Sequence, residues 1–121
     1  MPQQPAVSVV IATYNRANFL RETIESVLNQ SFKDFELIVV DDGSTDETRQ
    51  IIKTYGSTVQ AFYQNNRGPS AARNLGVRHA RGSWIAIQDS DDVSAPHHLE
   101  VLYRNTQAHP ECAMIFANGK Y

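Results

Sequence analysis

Val7-Ser8-Val9-Val10-Ile11-Ala12-Thr13-Tyr14-Asn15-Arg16 opens as a nearly unbroken β-branched run and stops at a polar Tyr-Asn-Arg. Strict alternation of polar and apolar residues would mark a strand with one wet face. A continuous apolar run instead marks a strand buried on both faces, the condition of a parallel sheet. Immediately downstream, Phe19, Leu20, Ile24, Val27 and Leu28 recur at helical spacing between Ala17 and about Asn29, with Arg21, Glu22 and Glu25 elsewhere on the wheel. A doubly buried strand followed by an amphipathic helix is the first unit of an α/β fold.

The unit repeats outward from there. Leu37 to Val40 reads as a second buried strand ending at Asp41-Asp42-Gly43-Ser44-Thr45, where Ser44 and Glu47 form a capping-box pattern for a helix reaching about Tyr55. Val59 to Tyr63 makes a third strand, and Asn65-Asn66-Arg67-Gly68-Pro69 carries the turn chemistry of a loop. Ser70 opens a third helix with Ala71, Ala72 and Leu75 on its apolar face and Gly82, just past Ala80 and Arg81, as its stop. Trp84 to Ile87 is the fourth strand, ending at Gln88-Asp89-Ser90-Asp91-Asp92. Ser94, Ala95 and Pro96 mark the first turn of a helix to about Ala108, and Ala113 to Ala117 is the fifth strand. Residues 1–6 are expected to be extended or disordered and residues 7–121 to form one domain. Short alternating elements predict a mostly parallel sheet with helices on both faces, and ligands in such sheets bind beyond the carboxyl ends of the strands.

Composition narrows the function. A chain of 121 residues with 41% hydrophobic side chains supports one core and excludes global disorder. Eleven basic against thirteen acidic residues give a net charge of −2, which excludes broad binding to a nucleic-acid backbone. Cys112 is the only cysteine, so neither an internal disulfide nor a cysteine zinc site can form, and a reducing compartment fits. The apolar runs are too short to cross a bilayer and Met1 to Pro5 lacks signal-peptide character, so the expected location is cytoplasmic.

Five of the thirteen acids, Asp41, Asp42, Asp89, Asp91 and Asp92, fall in two clusters at predicted strand ends, on the same rim as Tyr14 and Asn15. Helix capping and Asx turns account for Asn15, Asp46 and one acid, but gathered carboxylates repel unless a cation or hydrogen-bond donor is supplied. Asp89-x-Asp91 offers hard oxygen ligands suited to Mg2+ or Mn2+, with a diphosphate completing the shell. Asp41 or Asp42 can accept a hydrogen bond from a base or sugar, and Tyr14 can stack on a base. Arg73 either approaches a phosphate or is an ordinary surface residue. His79, His97, His98 and His109 lack paired ligand spacing, and Cys112 reads as a small core side chain. No serine elbow, Walker loop or Gly-x-Gly-x-x-Gly is present.

These stretches, together with Gly-Pro-Ser-Ala-Ala-Arg-Asn-Leu-Gly (68 to 76), resemble glycosyltransferase family 2 from Val7 to about Ala117. The family consists of inverting enzymes with the Rossmann-like GT-A nucleotide-diphospho-sugar transferase fold, and four motifs in order at the expected strand ends make the likeness specific. The resemblance implies that Ala12, Thr13 and Tyr14 contact the nucleotide, Tyr14 by stacking on the base. It implies that Asp42, with Asp41 beside it, reads the base, and that Arg73 lies near the base or diphosphate. Asp89 would lie near the ribose and metal, and Asp91 would be the direct ligand of Mn2+ or Mg2+. The implied reaction is transfer of a hexose from a nucleoside diphosphate sugar, a UDP-sugar being the commonest donor, to a hydroxyl of a saccharide or lipid-linked sugar in cell-surface polysaccharide synthesis.

The family's catalytic carboxylate lies well downstream of its Asp-x-Asp motif, and no residue here takes that role. Asp92 is too close to the metal motif, and Glu100 and Glu111 lie on or after the helix leading away from the rim. The chain is therefore expected to be the donor-binding half, to bind nucleotide while transferring sugar poorly, and to self-associate through the fifth strand's edge. Two alternatives come from other classes. One is a non-catalytic nucleotide-binding or interaction module. The other is a phospho-receiver domain, which also has five strands and a late lysine, here Lys120, but needs acids where this chain has Tyr14-Asn15 and Gln64-Asn65.

Overall fold

In the computed structural model, which describes residues 4–90, 96–108 and 115–116, the run from Val7 becomes β1 (Val7–Thr13), and all but one of its residues are buried. It takes the centre of a five-stranded sheet because only a central strand covered on both faces can remove so many branched side chains from water. β2 (Phe35–Asp41) and β4 (Trp84–Asp89) flank it, β3 (Gln60–Tyr63) lies outside β2, and β5 (Ile115–Phe116) lies outside β4. Every pairing among the described residues is parallel. The resulting order, β3-β2-β1-β4-β5, is that of a doubly wound nucleotide-binding sheet; receiver domains share the flavodoxin-like 2-1-3-4-5 order, so the receiver alternative is overturned.

Side-chain alternation assigns each strand residue to a layer. Val7, Val9, Ile11, Leu37 and Val39 pack with Leu20, Ile24 and Val27 of α1 (Ala17–Leu28), Ile52 of α2 (Thr48–Lys53) and Leu99 of α4 (His98–Ala108). On the opposite face Val10, Ile38 and Val40 meet Ala72 of α3 (Pro69–His79). Each fully buried aliphatic side chain contributes about 1.5–3 kcal/mol relative to exposure, which is what holds the layers together. α3 can lie this close because Gly76 has no side chain: a Cβ there would stand 2.5 Å from Val10 Cγ1.

Three details depart from the sequence expectation. α2 begins at Thr48 and ends at Lys53, shorter at both ends, because Ser44 turns its hydroxyl to Asp41 while Asp46 accepts the Thr48 amide at 2.9 Å and its hydroxyl. Gly82 is not the stop of α3, which ends at His79 with Ala80 extended. Gly82 instead crosses β1, where a Cβ would lie 2.6 Å from the Ser8 amide nitrogen. α4 starts at His98, after a turn containing Pro96, and its Leu99 amide donates to the buried Gln30 side chain at 2.9 Å. The fifth strand is described only at Ile115 and Phe116; Ser94, Ala95, His109, Cys112 and Lys120 lie outside the described residues.

Strand order reverses around β1, whose chain leaves toward β2 on one side while β4 arrives on the other through α3. The carboxyl ends of β1 and β4 thus flank a crevice on the α3 side of the sheet.

Candidate functional site

A cleft of about 480 Å3 occupies that crevice, within the size range of small-molecule sites. The end of β1 supplies Ala12, Thr13, Tyr14 and Arg16; Asp42 follows β2; Gly68, Pro69, Ala72 and Arg73 come from the start of α3; and Asp89 and Ser90 end β4. Ala12 and Asp89 are register partners, so one wall is a direct continuation of the β1–β4 pairing. Thr23 of α1 steadies that wall by donating its hydroxyl to the Ser90 carbonyl at 2.9 Å.

Alternation separates the two aspartates that the sequence presents side by side. Neighbouring residues on a strand point to opposite faces, so only one of Asp41 and Asp42 can look toward α3. Asp42 does. Asp41 is fully buried on the other face, where its carboxylate accepts Arg49 Nε at 2.9 Å and the Ser44 amide at 3.3 Å, together with the Ser44 hydroxyl. Asp41 does not line the cleft.

Asp42 is 4% exposed and is held by its own chain. Oδ1 accepts Gln64 Nε2 at 2.7 Å and the Arg67 amide at 2.8 Å, and Oδ2 accepts the Gly68 amide at 2.9 Å. Burial pushes its pKa up, but the bonds from Arg67, Gln64 and Gly68 outweigh burial and hold the carboxyl below the usual value of 3.8. Asp42 is therefore an anion with one lone pair on Oδ2 unfilled among the described residues. Gly43 makes this approach of loops possible: its φ is +80°, and a Cβ there would lie 2.8 Å from the Asn66 amide nitrogen.

Across the cleft, Arg73 and Asp89 form a loose, largely exposed pair, Nη2 to Oδ1 at 3.5 Å, with side chains 41% and 60% exposed. Such a pair yields readily to a ligand, because an exposed ion pair is worth only about 0–1 kcal/mol. Tyr14 is 42% exposed and Thr13 is buried, its Oγ1 without a hydrogen-bond partner among the described residues. Asp91 and Asp92 lie outside the described residues, and no three His, Cys, Asp or Glu side chains gather as a metal cluster among the described ones.

Of the residues singled out by sequence, Ala12, Thr13, Tyr14, Asp42, Arg73 and Asp89 converge on the cleft and Asp41 does not. Arg16, Asn66, Gly68, Pro69 and Ser90 also line it. These five and Ala72 sit inside or beside the quoted motifs, so adjacency to a motif is the available signal. Two cations, an exposed aromatic ring, the exposed carboxylate of Asp89 and the buried carboxylate of Asp42 suit a ligand with a phosphorylated end and a planar, hydrogen-bonding end.

Comparison with known proteins agrees with that geometry. The sequence profile of Glycosyl transferase family 2 matches residues 8–120. An uncharacterized glycosyltransferase from Rickettsia bellii is 40% identical over 123 residues, covering 95% of this chain and 18% of that protein. The crystal structure of S. aureus TarS 1-349 in complex with UDP superimposes with a TM-score of 0.79 at 32% identity, over 86% of this chain and 32% of TarS. The mannosyltransferase PcManGT from Pyrobaculum calidifontis, in complex with GDP-Man and Mn2+, gives a TM-score of 0.73 at 28% identity, over 84% of this chain and 31% of that one. The chain thus spans 18% to 32% of the length of these proteins.

Proposed function

The chain belongs to glycosyl transferase family 2, and on that premise we propose that its cleft binds a nucleoside diphosphate sugar, with UDP as the first candidate nucleotide. The observation that carries this reading is the single open acceptor of Asp42 facing a cleft that also holds the exposed ring of Tyr14 and the cation Arg73. A base stacked on Tyr14 places its ring N–H within reach of a carboxylate acceptor, and Ala12 and Thr13 close the floor beneath it. Arg73, released from its loose contact with Asp89, then meets the phosphates together with Arg16. TarS in complex with UDP and PcManGT with GDP-Man and Mn2+ support the class of ligand.

A divalent cation, Mn2+ or Mg2+, fits the donor set. Asp89 offers an exposed carboxylate at the cleft wall whose one polar side-chain contact among the described residues is the 3.5 Å pair with Arg73, and such ions need only one or two carboxylates besides substrate phosphates. Asp89 and, from the sequence pattern, Asp91 would hold the ion, which supplies charge neutralisation to a departing nucleoside diphosphate. The reaction we propose is in-line transfer of a hexose with inversion to a hydroxyl of a saccharide or lipid-linked sugar. Neither Asp42 nor Asp89 is the base for that hydroxyl, since one is committed to backbone donors and the other to the phosphate side. On its own, this chain is proposed to bind donor and to transfer sugar slowly.

Calorimetric titration of UDP, with and without Mn2+, into the parent chain and Tyr14→Ala tests the reading. Metal-dependent binding is expected, weakened about tenfold in Tyr14→Ala, the scale of losing one base–aromatic stack. Failure of the parent to bind UDP or GDP with either cation would overturn it.

A further inference from the structure

Tyr14 and Arg16 both line the cleft, yet Asn15 between them does not. Asn15 has a φ of +50°, in the left-handed region that asparagine enters more easily than other side chains. Its functional groups point into the loop after β2. The Asn15 backbone N–H donates to Ser44 Oγ at 2.9 Å, and the side-chain Oδ1 accepts the Thr45 backbone amide at 2.8 Å. The Ser44 hydroxyl, accepting from Asn15, has its own proton free to donate, and it donates to Asp41. Asp41 is fixed in turn by Arg49 at 2.9 Å, and the Arg49 guanidinium lies over the Tyr63 ring, 5.0 Å from its centroid. One residue further on, Asp46 Oδ2 accepts the Ala17 amide at 3.3 Å.

The post-β2 loop is therefore a mould for the post-β1 loop, bonded to it at residues 15 and 17, and none of Asn15, Asp41, Ser44, Thr45 or Asp46 lines the cleft. We propose that Asn15 is a positioning residue of the donor site: its left-handed backbone and its clamp on Ser44 and Thr45 present Tyr14 to the base and Arg16 to the phosphates. The buried carboxylate of Asp41 anchors that clamp and does not touch the nucleotide. This rests on the donor-site reading above.

Asn15→Gly separates the two parts of the device, because glycine keeps the positive φ and the backbone bond to Ser44 at no steric cost and loses the side-chain bond to Thr45. The probe is UDP with Mn2+, titrated into the parent, Asn15→Gly, Tyr14→Ala and the Tyr14→Ala/Asn15→Gly pair, with urea unfolding run on each. Asn15→Gly is expected to weaken binding about fivefold to tenfold, the scale of one lost hydrogen bond. In the Tyr14→Ala background the same substitution is expected to cost only about twofold, since Arg16 alone is left there for Asn15 to position. A purely structural role would leave the two costs equal, and that equality would overturn the proposal even where the unfolding midpoints differ. Parental affinity in Asn15→Gly would overturn it as well. If the parent binds neither UDP nor GDP with Mn2+ or Mg2+, the donor-site reading itself falls and the role of Asn15 with it.

Discussion

Glu36 and Asp42 stand on the same face of the β2 chain, at its two ends, separated by the buried Ile38 and Val40. Both are buried, and both have pKa values held below the ordinary carboxylate range by donors of their own chain. What differs is completeness. Glu36 accepts the Ser8 hydroxyl at 2.5 Å and the Arg81 amide at 2.6 Å on Oε2, and Gln60 Nε2 at 2.7 Å and Arg81 Nε at 3.2 Å on Oε1. Four donors fill four lone pairs, and Gly82 donates to the Ser8 hydroxyl at 2.8 Å and lies against the Ser8 backbone. Asp42 has three donors and a cleft where the fourth would be. A buried, perturbed carboxylate is thus no mark of a binding site by itself; the unfilled acceptor facing open space is.

Replacing each by alanine should break the symmetry most visibly in affinity. Asp42→Ala is expected to lower UDP affinity at least about 100-fold, the loss of a charged hydrogen bond plus slackening of the 64–68 loop, while Glu36→Ala stays within about twofold of the parent. Calorimetry at one Mn2+ concentration checks both. Equal losses would show that the two rims are not independent.

Stability should reverse the ranking. Glu36→Ala strands the Ser8 hydroxyl, the Gln60 side-chain amide and the Arg81 backbone amide, while the half-exposed Arg81 guanidinium turns to water, and is expected to cost about 3 kcal/mol. Asp42→Ala strands donors beside a cleft that water can enter, and about 1–2 kcal/mol is expected. Urea unfolding at neutral pH measures the difference. A larger cost at Asp42 would mean that the cleft is drier than its shape implies.

The acid limb of the stability curve sharpens the comparison further. Burial pushes the Glu36 pKa up, but the bonds from Ser8, Arg81 and Gln60 outweigh it and hold the carboxyl below its usual 4.5. Its contribution to stability is therefore fully present above about 4.5 and lost as pH falls through the lowered value. Glu36→Gln, which removes that titration, should flatten unfolding free energy against pH in this window. An unchanged slope would assign the acid sensitivity to other groups, Asp46 among them, whose pKa burial raises but whose bonds from Thr48 and Ala17 bring below 3.8.

Much of this was legible before the fold was known, and the reasons are local. Val7 to Ala12 and Leu37 to Val40 announce themselves because two-sided burial leaves no room for polar residues, and α1 because its apolar stripe keeps the helical period. Strand-end placement then brings Tyr14, Asp42 and Asp89 to one rim, and the first turns of α3 bring Arg73 to it. The rest depends on contacts between residues far apart in sequence. Ser44 looks like a cap for α2 until Asp41 takes its hydroxyl, and Gly82 looks like a helix stop until Ser8 is found against it. Asp41 and Asp42 stand side by side in the sequence, and alternation alone is enough to part them.

The smallest expected effect concerns Asp89, and it is the most discriminating. With its side chain 60% exposed and its partner Arg73 at 3.5 Å, Asp89→Ala should change the unfolding free energy by less than about 0.5 kcal/mol. Glu36 occupies the opposite extreme, large in stability and silent in binding. If Asp89 holds a cation against the phosphates, its removal should erase the difference between UDP titrations with and without Mn2+ while the fold is untouched. If Asp89 serves only to hold Arg73, the metal dependence should survive and Arg73→Ala should reproduce the Asp89→Ala phenotype. The residue that matters least to the sheet thus decides which side of the cleft carries the ligand's charge.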